Sequence, residues 1–166
     1  MNGGICCLAL LLSALSATAQ PLRVTSFHAS ELSLDSNLEG VADIIQQYDF
    51  AAIQDLRDLA AADQLLAILF RRGDFFKVLP SQPSAADETR YAFAWRDRRV
   101  QILAPGSFLD IGAERRLVYA AFRAGDFDFV ALNYQTRAPA ASAAAELEQA
   151  YQDMRQRLPE EGDILL

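Results

Sequence analysis

Apolar and polar positions along the chain repeat with two periods, and these assign most of its elements. LRVTSF at 22–27 alternates in part, which predicts a first strand ending at His28. Ser36 and Glu39 have capping-box spacing ahead of Leu38, Val41, Ile44 and Ile45, so a helix is expected over about 37–47. An apolar run then predicts a buried strand at 50–54. Asp58 is placed to cap a second helix with Leu65, Leu66, Leu69 and Phe70 on its buried side, and Gly73 to end it. Phe75 to Leu79 reads as a strand, and Pro80 to Asp87 as an exposed loop rich in turn formers. Tyr91, Phe93 and Trp95 alternate with alanines, and with Asp97-Arg98 as the turn they predict a hairpin returning through Val100 to Leu103. Two further strands are expected at about 116–123 and 127–133, joined by Ala124-Gly125-Asp126. Ala140 to Leu158 is a helix by its alanine content and by the spacing of Leu147, Tyr151, Met154 and Leu158. Pro159 to Asp163 breaks it, and Ile164 to Leu166 begins another strand.

Composition narrows the class. The chain has 166 residues, of which 52% are hydrophobic, enough for one folded domain with a real core. The first nineteen residues carry no Lys, Arg, Asp or Glu, run apolar from Ile5 to Leu15, and close on Ala17-Thr18-Ala19. That is the form of a signal peptide, 1–19, leaving a domain over 20–166 that is secreted or periplasmic, with no membrane attachment after cleavage. Cys6 and Cys7 lie ahead of or inside the apolar run and would leave with it, so the mature domain would carry no disulfide. The formal net charge of −7, with the arginines scattered among more numerous acids, disfavours simple nucleic-acid binding. It leaves open a metal-assisted attack on a polyanion.

Candidate chemistry gathers on DFAAIQDLRD at 49–58, where a buried strand delivers Gln54, Asp55, Arg57 and Asp58 to its C-terminal end. Such a tip suits an enzyme site, and it also suits an ordinary strand-to-helix corner. His28, the only histidine, is either a ligand or a hydrogen-bonded strand-end residue. Asp55 reads as a metal ligand, a helix cap or the partner of Arg57. Arg57 in turn is an ion-pair partner or a phosphate clamp. The aromatic face Tyr91/Phe93/Trp95 suits a sandwich core. No Ser-His-Asp set, P-loop, zinc pattern or dinucleotide fingerprint can be assembled.

Four stretches, LRVTSFH at 22–28, YDFAAIQDLRD at 48–58, TRYAFAWR at 89–96 and DFVALNYQ at 128–135, together resemble the N-terminal motifs of the endonuclease/exonuclease/phosphatase family. The resemblance implies a truncated α/β sandwich (α+β in the broader sense) of the four-layer, deoxyribonuclease I-like type, with about seven strands and three helices. It also implies Mg²⁺-dependent phosphodiester hydrolysis.

The matched positions depart from the family's pattern. His28 stands where the family has asparagine, Asp55 for the metal-binding glutamate, Thr89 for a glutamate with Glu88 beside it, and Asn133 for the phosphate-engaging histidine. Arg57 is retained. The family's later G-D-F-N and S-D-H motifs are not found. The expectation is therefore a shortened, catalytically degenerate member, a binding or accessory domain with a protein partner or self-association. The alternative is a Mg²⁺-dependent phosphodiesterase with Glu88, Thr89 and Asn133 catalytic, Asp55 and His28 on the metal, and Arg57 on substrate.

Overall fold

A computed structural model describes residues 21–83, 90–110, 116–135, 140–158 and 162–165. The expected leader 1–19, the end of the loop at 84–87, and Glu88 and Thr89 lie outside the described residues.

Two sheets form, the first with two α-helices and the second with one on its outer face. The first has the order β1-β2-β4-β3, built from β1 (Val24–Leu32), β2 (Phe50–Leu56), β3 (Phe76–Pro80) and β4 (Arg90–Arg96). The second has the order β5-β6-β7-β8, from β5 (Gln101–Asp110), β6 (Arg116–Ala124), β7 (Phe127–Asn133) and the short β8 (Ile164–Leu165). Helices α1 (Leu38–Ile45) and α2 (Leu59–Arg71) pack on the first sheet through Ala42, Ile45, Leu65, Ile68 and Leu69 against Ala51, Ile53, Ala92 and Ala94. Helix α3 (Ala140–Arg157) packs on the second through Ala150 and Met154 against Leu117, Val130 and Leu132. The result is the expected α/β sandwich.

Alternation along the strands builds the layer between the sheets. Phe50, Phe93 and Trp95 from the first sheet meet Phe122 and Phe129 from the second. Phe50 stands edge-on to Phe122, centroids 4.8 Å apart at 71°, and to Phe129, 5.4 Å apart at 87°. Each such ring, fully buried, stabilises the fold by roughly 1.5–3 kcal/mol.

The expected hairpin of Tyr91–Trp95 with Val100–Leu103 does not form. Strand β4 is central in the first sheet, antiparallel to both β2 and β3, while β5 pairs with β6 in the other sheet. The turn is real, with Arg99 N and Val100 N both donating to Arg96 O, but it carries the chain from one layer to the other. Arg96 N donates to Asp49 O at 2.9 Å, which keeps the end of β4 on β2 as the chain leaves.

Two helix details also differ. Asn37, not Ser36, caps α1, its side chain accepting from Gly40 N at 3.0 Å, while Ser36 Oγ accepts from Ser33 N. On α2 the buried side is Ala61, Ala62, Leu65, Ile68 and Leu69, whereas Phe70 is 63% exposed and stands edge-on to Phe75. Asp58 caps α2 as expected, accepting from Ala60 N, and Gly73 closes it at φ +82°.

Asp49 anchors the rim where β2 begins. Its carboxylate accepts from Arg23 N at 3.0 Å and has Arg23, Arg96 and Arg99 nitrogens each 3.7 Å away. This cluster sits at the end of β2 opposite Asp55, so its charges organise the fold away from the candidate site.

Candidate functional site at the carboxyl rim of the first sheet

Parallel pairing puts His28 in register with Gln54, and pairing resumes at Leu32 with Leu56. Between these points β1 has three residues where β2 has one, so β1 bulges, and its length beyond His28 exceeds the expected strand. Ser30 (φ +47°), Glu31 (φ +62°) and Asp55 (φ +65°) all adopt the left-handed region. For residues with a Cβ this is disfavoured, and it persists where surrounding bonds compel it. The compelling bond is visible: Asp55 Oδ2 accepts from Glu31 N at 2.9 Å. Asp55 therefore staples the bulge, with only 9% of the residue exposed.

Arg57 pairs with Glu31 across the same bulge, Nη1 to Oε2 at 2.8 Å. Both side chains are about two-thirds exposed (66% and 65%), so the pair contributes at most about 1 kcal/mol. His28 is exposed on β1.

Asn133, at the end of β7, is 1% exposed and lies between the two sheets. Its Nδ2 donates to Ile53 O and Ala92 O, both at 3.0 Å, and its Oδ1 accepts from Gln54 Nε2 at 2.7 Å. Every hydrogen of the amide is thus committed to the first sheet's backbone. Gln54 Nε2 lies also 3.1 Å from Ser26 Oγ and 3.3 Å from Ala52 O. Gln54 follows Phe50 and Ala52 on the inner face, and a lone amide ending an apolar strand was the signal for its role. The local sequence pattern places Gln54 at the polar tip of the strand without marking it as a tie to the second sheet.

A hard, octahedral cation prefers several oxygen donors left open to it. Asp55 has one oxygen on Glu31 N, Asn133 has its oxygen on Gln54, and His28 offers a nitrogen from the surface. Among the described residues no group of three His, Cys, Asp or Glu is placed to hold a metal ion. These side chains do not fit a Mg²⁺ centre.

No family model matches the sequence, and no curated protein matches it. Solved structures do. An endonuclease/exonuclease/phosphatase from Bacteroides vulgatus superposes with a TM-score of 0.63 at 11% identity, over 81% of this chain and 60% of that one. The fold is the deoxyribonuclease I-like sandwich of endonuclease/exonuclease/phosphatase proteins. Truncated Caenorhabditis elegans TDP2 matches at 0.59 and 18% identity, over 84% of this chain and 57% of its own. D. rerio TDP2, in complex with a single-strand DNA product, matches at 0.56 and 16%, over 86% and 57%. The chain spans about three fifths of the length of each.

Proposed function

We propose that this domain uses the deoxyribonuclease I-like sandwich without hydrolysing phosphodiesters, as an exported binding or accessory domain. The observation that carries the reading is the state of Asn133, whose amide is fully engaged by Gln54, Ile53 and Ala92. A group locked between two sheets by three hydrogen bonds is not available to a phosphate, and an amide has no proton to shuttle near neutral pH. Asp55 supports the same reading, since its carboxylate maintains a strained bulge. When several groups that act together are replaced, rates fall by many orders of magnitude.

The test incubates the purified protein with plasmid DNA and Mg²⁺ or Mn²⁺ beside an Asp55→Ala control. No nicking beyond the control is expected. Cleavage that disappears in the control would establish the metal-dependent phosphodiesterase instead. Export is tested separately by the amino terminus of the secreted product, expected at Gln20.

A further inference from the structure

We infer that the cleft beside Gln54 is a binding site for a small, single-ring cyclic amide. The cleft has a volume of about 170 Å³ where β1 and β2 meet the end of β7 and helix α3, and among the described residues Ser26, Gln54, Leu132, Tyr134 and Leu147 line it. An apolar cavity of about 150 Å³ accommodates one benzene ring, and drug-sized ligands occupy roughly 300–1,000 Å³. One six-membered ring is the size that fits.

The polar edge of the cleft is set by the orientation of Gln54. Asn133 Nδ2 donates to two carbonyls, so Asn133 Oδ1 must face Gln54 and only the NH₂ of Gln54 can meet it. Ala52 O, 3.3 Å from the same nitrogen, requires the same orientation. Gln54 Oε1 is therefore an acceptor, and it has no hydrogen-bond partner among the described residues, although Gln54 is only 5% exposed. No fully enclosed side-chain nitrogen or oxygen among those residues lacks a partner. Gln54 Oε1 thus opens onto space, and Gln54 lines the cleft.

Ser26 Oγ receives a hydrogen bond from Gln54, which leaves the hydroxyl proton to be donated. The edge thus presents an acceptor next to a donor. A cyclic amide presents the complement, an N–H beside a C=O. Leu132 and Leu147 supply apolar walls for the rest of its ring. Tyr134 is a third wall, its hydroxyl engaged with Glu146. This inference does not depend on whether the domain hydrolyses phosphodiesters.

The probe is δ-valerolactam, titrated into the full protein and followed by amide NMR. Saturable shifts are expected at the Gln54 side-chain amide and at the Leu132 and Tyr134 backbone, with a Kd on the order of 1 mM. N-methyl-δ-valerolactam keeps the ring and the carbonyl but lacks the N–H, and should bind about ten-fold more weakly. Ser26→Ala, at an exposed position, should weaken δ-valerolactam several-fold, and Leu147→Trp should abolish its binding by filling the cleft. The inference is overturned if no saturable shift appears at these residues, or if the N-methyl compound binds equally well. Undiminished binding to a folded Leu147→Trp protein would overturn it too.

Discussion

Replacing Asn133 by alanine isolates the bond set that joins the two sheets. The substitution removes two donors, to Ile53 O and Ala92 O, and one acceptor, from Gln54 Nε2. At about 1 kcal/mol net for each hydrogen bond, the loss is roughly 3 kcal/mol. A residue 1% exposed leaves a void when truncated, which adds about 1 kcal/mol. The expected total of about 4 kcal/mol is large against a domain stability of about 5–15 kcal/mol. Equilibrium urea unfolding measures it through the fluorescence of Trp95, the only tryptophan, which lies in the aromatic layer between the sheets. Asn133→Asp sharpens the test. It keeps the shape and the acceptor but turns a carboxylate oxygen toward two carbonyls, so the introduced group should ionise only at raised pH in the folded state. Stability should then be greatest at acid pH and fall as pH rises past the ordinary aspartate range of about 4. A loss below about 1 kcal/mol for Asn133→Ala, or an Asn133→Asp protein as stable as the parent at pH 7, refutes the assignment of Asn133 as a structural tie.

Three further outcomes are expected. Asp49→Asn retains an acceptor for Arg23 N but strips the charge from a cluster of three arginines, and should cost about 2 kcal/mol by urea unfolding, reduced because Arg23 and Arg99 reach solvent. Gly73→Ala meets open space but must hold φ +82°, so the thermal midpoint should drop by the equivalent of about 1–2 kcal/mol. The bidentate hydrogen bond from Arg123, 2.6 Å at Nη2, holds the Asp128 carboxyl below the ordinary aspartate range and raises the Arg123 guanidinium. The depressed value means that this pair favours the folded state above the unfolded aspartate pKa and loses that contribution as pH falls through the folded one. Carboxyl NMR titration should show Asp128 returning to the ordinary range in Arg123→Met, and an unchanged titration would contradict the pairing.

The elements of this fold were legible because local rules govern them. Period and caps mark α2 from Asp58 to Gly73, and alternation marks β4. Strand pairing was not legible, because it is decided by which faces meet across the whole domain. The segments at 91–95 and 100–103 have the pattern and turn of a hairpin, and a local reading joins them. What separates them is the aromatic face of β4, which must lie on Phe50 of β2 and under Phe122 of the opposite sheet. That preference depends on residues 40 or more positions earlier and 25 or more later in the chain, and no window of neighbours contains it.

The candidate site was legible by position and illegible by role, for a conformational reason. Strand alternation places Gln54 inward and Asp55 outward, and a carboxylate at the tip of a buried strand reads as a ligand. Asp55 instead adopts φ +65°, and one oxygen of its carboxylate accepts from Glu31 N, a contact made possible by the two extra residues in β1. Nothing in the residue types of ASEL at 29–32 announces that bulge. Asn133 shows the same limit from the other side: a polar residue ending an apolar strand is equally suited to reach solvent or to tie two sheets together. Burial separates the two possibilities, because an amide so enclosed must find partners for both hydrogens, and Ile53 O, Ala92 O and Gln54 are there to supply them. Chemistry at this rim therefore has to be sought where a polar atom is left open, and among the bonds joining the sheets that atom is Gln54 Oε1.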